Sequence, residues 1–161
     1  VGLTGDDDKV SACTQRFGYD AALNYKRPDL TAALQALLPK GIDVFFDNVG
    51  GPMLDMGLRQ MRTGGRVVQC GTASISSWNP PPTGPRNERE VLSRQLTWSG
   101  FVLFSHRGDF DAAAQTLAAW LHAGEITFDE DISAGIEAAP DSIRGLYAGE
   151  NKGKKLIYIG E

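Results

Sequence analysis

The chain has 161 residues, of which 42% are hydrophobic and 22% are charged, as in an ordinary globular domain. Its 20 acidic and 16 basic residues give a formal net charge of −4, so no excess of cations is available to bind a nucleic-acid backbone. We find no apolar run of about 18 residues that could span a membrane, and no signal-peptide pattern at the start of the chain.

The two cysteines, Cys13 and Cys70, are far apart in the sequence. They lack the clustered spacing of a structural zinc site, and two isolated thiols are more typical of a reducing cytosol than of a disulfide framework. We therefore expect a cytoplasmic protein without a bound metal.

Short apolar segments alternate with segments of helical periodicity along the chain. Strands are predicted at Val1–Thr4, Ala21–Asn24, Ile42–Phe46, Gly65–Gly71, Trp98–Phe104, Ile132–Ile136 and Lys155–Ile159. Helices are predicted at Val10–Phe17, Pro28–Leu38, Met53–Met61, Glu88–Arg94, Phe110–His122 and Pro140–Ala148. The proline-rich segment Ser74–Pro85 is predicted to be a loop.

This alternation indicates βαβ units and therefore an α/β fold with a doubly wound parallel sheet. The run Ile42–Phe46 is continuously apolar and is followed by Asp47 and Asn48. Such a run is typical of a strand that is buried on both faces of a parallel sheet.

A dinucleotide-binding sheet normally opens with a strand, a G-x-G-x-x-G turn and a helix, whose backbone N–H groups bind the pyrophosphate. The glycines at Gly50-Gly51, Gly64-Gly65 and Gly71 do not have that spacing, so the motif is missing from this sequence. Either the fold is another α/β fold, or the chain starts after the motif. Val1–Thr4 has the character of a strand and favours the second explanation.

Six sequence motifs occur along the chain in the order typical of one family. They are Gly5–Lys9, Gly18–Lys26, Gly41–Gly51, Gly64–Gly71, Gly100–Leu103 and Gly149–Lys154. Together they resemble the zinc-independent, NADP-dependent alkenal and alkenone double-bond reductases of the medium-chain dehydrogenase/reductase type, which include the leukotriene B4 dehydrogenase/prostaglandin reductases.

The resemblance implies that residues 1–161 are a partial NADP-binding domain with a Rossmann-like sheet. The first strand, the glycine-rich turn, the next helix and a GroES-like N-terminal domain would lie upstream. In the order 3-2-1-4-5-6 the first strand is central. We therefore expect this chain by itself to form an incomplete sheet and to be inactive.

The resemblance also implies NADP as the cofactor. It places cofactor contacts at Lys9, Tyr25, Asn48, Cys70, Gly71, Phe101, Leu103 and Asn151. Lys9 and Tyr25 would bind the 2′-phosphate, because the strand end at Thr4-Gly5 has no carboxylate to accept from the ribose hydroxyls. The acidic residues 6–8 argue against an anion there, and by itself Lys9 would suit a solvated helix position.

Two of these positions also follow from the predicted sheet. Asn48 lies just outside the carboxyl end of a buried strand, where ligands of open α/β sheets bind. Gly71 ends the next strand at the same edge and would let the backbone approach a ligand closely. We do not expect Cys70 to act as a nucleophile.

No catalytic residue is assigned from the sequence. Ser93 stands where some members of the family carry a tyrosine, and a serine cannot replace a phenol. His106 and His122 have no partner motif, so we expect both to be structural.

The implied activity is hydride transfer from NADPH to the β-carbon of an α,β-unsaturated ketone or aldehyde. The substrate would be a small molecule, and a homodimer would form through the strand that contains Gly100–Leu103. The alternatives are a quinone reductase of the same superfamily and a non-enzymatic nucleotide-binding or oligomerisation module.

Overall fold

The computed structural model describes residues 1–160 and follows the expected alternation of strands and helices. The strands are β1 (Gly2–Thr4), β2 (Ala22–Asn24), β3 (Ile42–Asp47), β4 (Met61–Gln69), β5 (Thr97–Gly100), β6 (Glu130–Ala134) and β7 (Lys154–Tyr158). The helices are α1 (Asp7–Gln15), α2 (Leu30–Leu37), α3 (Gly51–Gln60), α4 (Glu88–Ser93), α5 (Phe110–His122) and α6 (Ala139–Ala148). The predicted α/β fold with parallel strands is confirmed.

Most elements differ from their predicted bounds by one or more residues, and β4 begins at Met61 rather than at Gly65. Helix α1 begins at Asp7, because the side chain of Asp6 accepts from the backbone N–H of Lys9 at 2.7 Å and caps the helix there. Strand β5 ends at Gly100, whereas the prediction extended it to Phe104. The segment Leu103–Asp109 forms a 3₁₀ helix instead.

The described strands form three separate sheets, in which every pairing is parallel. Strand β1 pairs with β2, β4 lies between β3 and β5, and β6 pairs with β7. Within residues 1–160, β1 and β3 each have one partner strand.

The chain divides into two compact units. The central unit is Thr31–Phe110 and contains β3, β4, β5, α3 and α4. The terminal unit combines Val1–Leu30 with the segment from Asp111 onward, and contains β1, β2, β6, β7, α1 and α6.

The core of the central unit lies between α3 and the sheet. Leu58, Met61 and Val67 are at most 1% exposed. A Cβ atom at Gly57 would overlap the ring of Phe45, so α3 approaches β3 more closely than any side chain would allow. This packing fixes the position of the turn that joins β3 to α3.

In the terminal unit, polar contacts connect distant parts of the chain. Arg16 at the end of α1 forms an ion pair with Asp129, just before β6. Lys155 of β7 donates to Asp131 and to Ser133 of β6, at 2.8 Å in each case. The hydrogen bond from Lys155 is the main cause that lowers the pKa of Asp131 below its ordinary value.

A buried carboxylate ends β3. Asp47 is 2% exposed, and its Oδ1 accepts from the backbone N–H of Val49 at 3.0 Å. Its Oδ2 accepts from the N–H of Gly50 at 2.9 Å and from Nε2 of Gln69 at 2.6 Å. Asp47 therefore fixes the turn into α3 and ties the end of β3 to the end of β4.

The side chain of Gln69 extends this connection. Its Nε2 also donates to the carbonyl of Gly71 at 2.6 Å, which holds the segment that follows β4. Its Oε1 is buried without a hydrogen-bond partner in residues 1–160. The carboxyl ends of β3 and β4 are thus joined through side chains as well as through the sheet.

Replacement of Asp47 by asparagine should destabilise the protein. An amide in place of the carboxylate presents a donor to at least one of the three N–H groups and leaves it unpaired and buried. We expect the free energy of unfolding, measured by urea denaturation with tryptophan fluorescence, to fall by about 1–3 kcal/mol.

The matched control is Asp43→Asn on the same strand. Asp43 has a 64% exposed side chain and pairs with Arg62 at the surface, so its replacement should change stability by less than about 0.5 kcal/mol. Equal effects of the two substitutions would show that Asp47 has no special role in the turn.

Candidate cofactor-binding residues

The edge formed by the carboxyl ends of β3, β4 and β5 brings together several of the predicted cofactor contacts. The backbone N–H groups of Cys70 and Gly71 donate to the carbonyl of Asp47, at 2.8 Å and 3.2 Å. Asn48, which follows Asp47 in the chain, is exposed. The three positions that the sequence placed at one edge are therefore neighbours.

Gly71 allows a particularly close approach. A Cβ atom there would lie 2.8 Å from the carbonyl oxygen of Asn48 and 2.9 Å from its Oδ1. Real Cβ atoms do not tolerate such distances from backbone, so only glycine lets the ends of β3 and β4 pack in this way. The exposed amide of Asn48 can both donate to and accept from a ligand at this edge.

Phe101 continues the same edge beyond β5. Its backbone N–H donates to the carbonyl of Gln69 at 2.9 Å, which places it directly beside the end of β4. Its ring stacks on that of His106 with centroids 5.1 Å apart and an interplanar angle of 25°. Leu103, in contrast, lies outside the strand at the start of the 3₁₀ helix and is 54% exposed.

The terminal unit holds the remaining predicted contacts. Nζ of Lys9 donates to the carbonyl of Gly149 and lies 3.6 Å from Oδ2 of Asp6. The hydroxyl of Tyr25 lies 3.0 Å from the point that a Cβ of Gly5 would occupy, and the Tyr25 side chain is 43% exposed. Both residues thus lie close to the turn between β1 and α1.

Asn151 belongs to the turn that Lys9 contacts. Asn151 lies two residues beyond Gly149, after the end of α6. Its Nδ2 donates to the carbonyl of Gly153 at 2.8 Å. Lys9 and the Asn151 turn are therefore brought together, although 140 positions separate Lys9 from Gly149.

The acidic residues at the start of α1, Asp6, Asp7 and Asp8, all have partners. Asp6 accepts a hydrogen bond from the backbone N–H of Lys9. This bond is the main cause that lowers the pKa of Asp6, so the carboxylate stays charged. Asp7 accepts from Nδ2 of Asn24 at 2.9 Å, and Asp8 lies 3.6 Å from Nζ of Lys152. Lys152 offsets the charge of Asp8, whereas the carboxylate of Asp6 stays beside Lys9 and still opposes an anion there.

Sequence reasoning missed two residues that organise the central edge. Asp47 was noted only as the end of an apolar run, and Gln69 was read as one residue of a strand. A polar residue at the end of each of two adjacent buried strands was the available signal, because such groups must find partners when they are buried.

No group of three or more His, Cys, Asp or Glu side chains within residues 1–160 is arranged to hold a metal ion. Cys13 and Cys70 are both free thiols. In the same residues, no helix is long and apolar enough to cross a membrane.

Two curated relatives are similar over nearly the whole chain. The putative NADP-dependent oxidoreductase YfmJ of Bacillus subtilis is 38% identical over 100% of this chain and 48% of its own length. The NADP(+)-dependent 2-alkenal reductase of Nicotiana tabacum is 36% identical over 99% of this chain and 46% of its own length. The chain thus spans about half the length of the curated relatives it matches.

A solved structure gives the same result for the fold. CurA from Vibrio vulnificus, crystallised in complex with NADPH, superposes with a TM-score of 0.90 at 29% identity, over 99% of this chain and 49% of CurA. In addition, residues 1–119 match the family described as zinc-binding dehydrogenase. The chain therefore belongs to the zinc-binding dehydrogenase family, and its relatives include NADP-dependent oxidoreductases.

Proposed function

We propose that this chain is the NADPH-binding part of a reductase that saturates the C=C bond of α,β-unsaturated ketones or aldehydes. The observation that carries the proposal is the cluster of Asn48, Gly71 and Phe101 at one carboxyl edge of the sheet. Such an edge is where open α/β sheets bind nucleotides. The names of the tobacco relative and of the CurA complex support NADPH as the cofactor and an alkenal as the substrate.

The residues at this edge suit the nicotinamide half of the cofactor. Bound NADPH would supply the hydride, and the protein would supply orientation and electrostatics. The Asn48 amide would hold a ribose or carboxamide group, while the backbones of Cys70 and Gly71 would lie beside it. The backbones of Phe101 and Leu103 would border the carboxamide.

The terminal unit suits the 2′-phosphate half. Lys9 supplies a cation and Tyr25 a hydroxyl beside the end of β1, and Asn151 lies in the turn whose Gly149 carbonyl Lys9 contacts. No carboxylate stands free at that strand end, because Asp6 caps α1. A ribose with a free 2′-hydroxyl would therefore lack its usual acceptor, which favours NADPH over NADH.

We also propose that the reaction proceeds without zinc. Hydrogen-bond donors can stabilise the enolate that forms when hydride adds to an enone, so no zinc is required for this step. The motifs also resemble those of the zinc-independent branch of the family. We further infer a cytoplasmic protein, because its two cysteines are isolated free thiols. We infer a small-molecule substrate, because a net charge of −4 suits neither nucleic acid nor an anionic membrane surface.

The cofactor preference should depend on Lys9. In the complete protein that contains this chain, Lys9→Ala should weaken NADPH binding by about 1–3 kcal/mol and leave NADH binding unchanged, since only NADPH offers a phosphate to pair with. Fluorescence titration with both cofactors measures the difference. Lys40→Ala, at an exposed lysine of the central unit, is the control and should change neither affinity.

Equal affinities for NADPH and NADH, both before and after the Lys9 substitution, would contradict the assignment of the phosphate site. An equal loss of affinity for NADPH and for NADH would instead show that Lys9 stabilises the fold.

The protein should also assemble as a homodimer through β5. All four residues of β5 are exposed, Trp98 among them at 40%, and β4 is the strand's one partner within residues 1–160. An open strand edge of this kind normally needs a cover, which a second copy related by a two-fold axis provides. Analytical ultracentrifugation of the complete protein should give twice the chain mass. A monomer at the highest soluble concentration would contradict this assembly.

A further inference from the structure

His106 stands at the same carboxyl edge as the proposed nicotinamide contacts. Its ring stacks on Phe101 at 5.1 Å, and the backbone N–H of Phe101 is bonded to Gln69 at the end of β4. Gln69 in turn holds Gly71, which packs against Asn48. A continuous series of contacts therefore connects the imidazole to the centre of the proposed site.

The imidazole of His106 is accessible from solvent. His106 lies at a kink in the 3₁₀ helix, with φ −110° and ψ 25°, and its side chain is 50% exposed. Its Nδ1 lies 3.6 Å from Oδ2 of Asp109. With Asp109 on the side of Nδ1, Nε2 is the ring nitrogen that we assign to the substrate.

The proposed reduction requires such a group. Hydride addition to the β-carbon of an enone or enal leaves an enolate, which must gain a proton at the α-carbon. Residues 31–110 contain no tyrosine, and His106 is their one histidine. Asp47 cannot supply the proton, because both of its oxygens accept hydrogen bonds from N–H groups.

We propose that His106 is the catalytic proton donor of this reaction, an inference that rests on the proposed function. As the β-carbon receives the hydride, the N–H bond at Nε2 of the imidazolium breaks and a C–H bond forms at the α-carbon. The neutral imidazole then regains a proton from water. Each turnover thus consumes one hydride from NADPH and one proton from solvent, and releases the saturated carbonyl compound and NADP⁺.

Asp109 acts on this step as a positioning residue. Its carboxylate faces Nδ1, and the adjacent Arg107 is directed over the ring of Phe104 at 5.5 Å. Cys70 is the competing donor at this edge, since a thiol also carries a proton, although a weak one.

The test compares three forms of the complete protein with trans-2-hexenal as the substrate: wild type, H106Q and H122Q. H106Q should lower kcat by roughly 10²–10⁴-fold, the usual contribution of a general acid, while the dissociation constant of NADPH stays the same. H122Q should retain the wild-type kcat. A further variant, H106A, should regain activity in proportion to added imidazole, which a structural defect would not do.

The outcomes separate the two claims. If the wild type does not oxidise NADPH in the presence of the alkenal, the proposed function is wrong and the role of His106 fails with it. If the wild type is active and H106Q retains its kcat, the role of His106 alone is overturned. Loss of activity with weakened NADPH binding and without imidazole rescue would make His106 structural and overturn the role as well.

Discussion

The hydrogen bonds accepted by the carboxylate of Asp47 fix the carboxyl edge of the sheet in the central unit. This carboxylate is buried at the end of β3 and accepts from Val49, Gly50 and Gln69 at 2.6–3.0 Å. The turn into α3 and the end of β4 are thereby fixed to one point. Because Gln69 also binds Gly71, the geometry of the whole carboxyl edge follows from this buried charge and its donors.

Local patterns predicted most of the fold. The apolar run from Ile42 and the amphipathic segment Phe110–His122 gave elements of the right type and nearly the right bounds, since burial of one or both faces dictates their periodicity. The prediction that Leu103 lies in a strand was wrong. Leu103 begins a 3₁₀ helix in which His106 stacks on Phe101, and the hydrophobic pattern of the sequence does not predict this helix.

The candidate site was predictable only in part. Strand-end positions such as Asn48 and Gly71 follow from the alternation of elements, because parallel strands bring their carboxyl ends to one edge. The contact of Lys9 with Gly149 joins segments at opposite ends of the chain, and the partners of Asp7 and Asp8 could not be read from the sequence either. In the terminal unit, a phosphate bound at Lys9, as we propose, would compete with the Gly149 carbonyl for this cation.

We propose that the described edge of β3, β4 and β5 binds the nicotinamide half of NADPH. A crystal structure of the complete protein with NADPH is the decisive measurement. We expect to find the nicotinamide in contact with Asn48, Gly71 and the backbone of Phe101. A nicotinamide bound away from these residues would show that this edge is not the nicotinamide site.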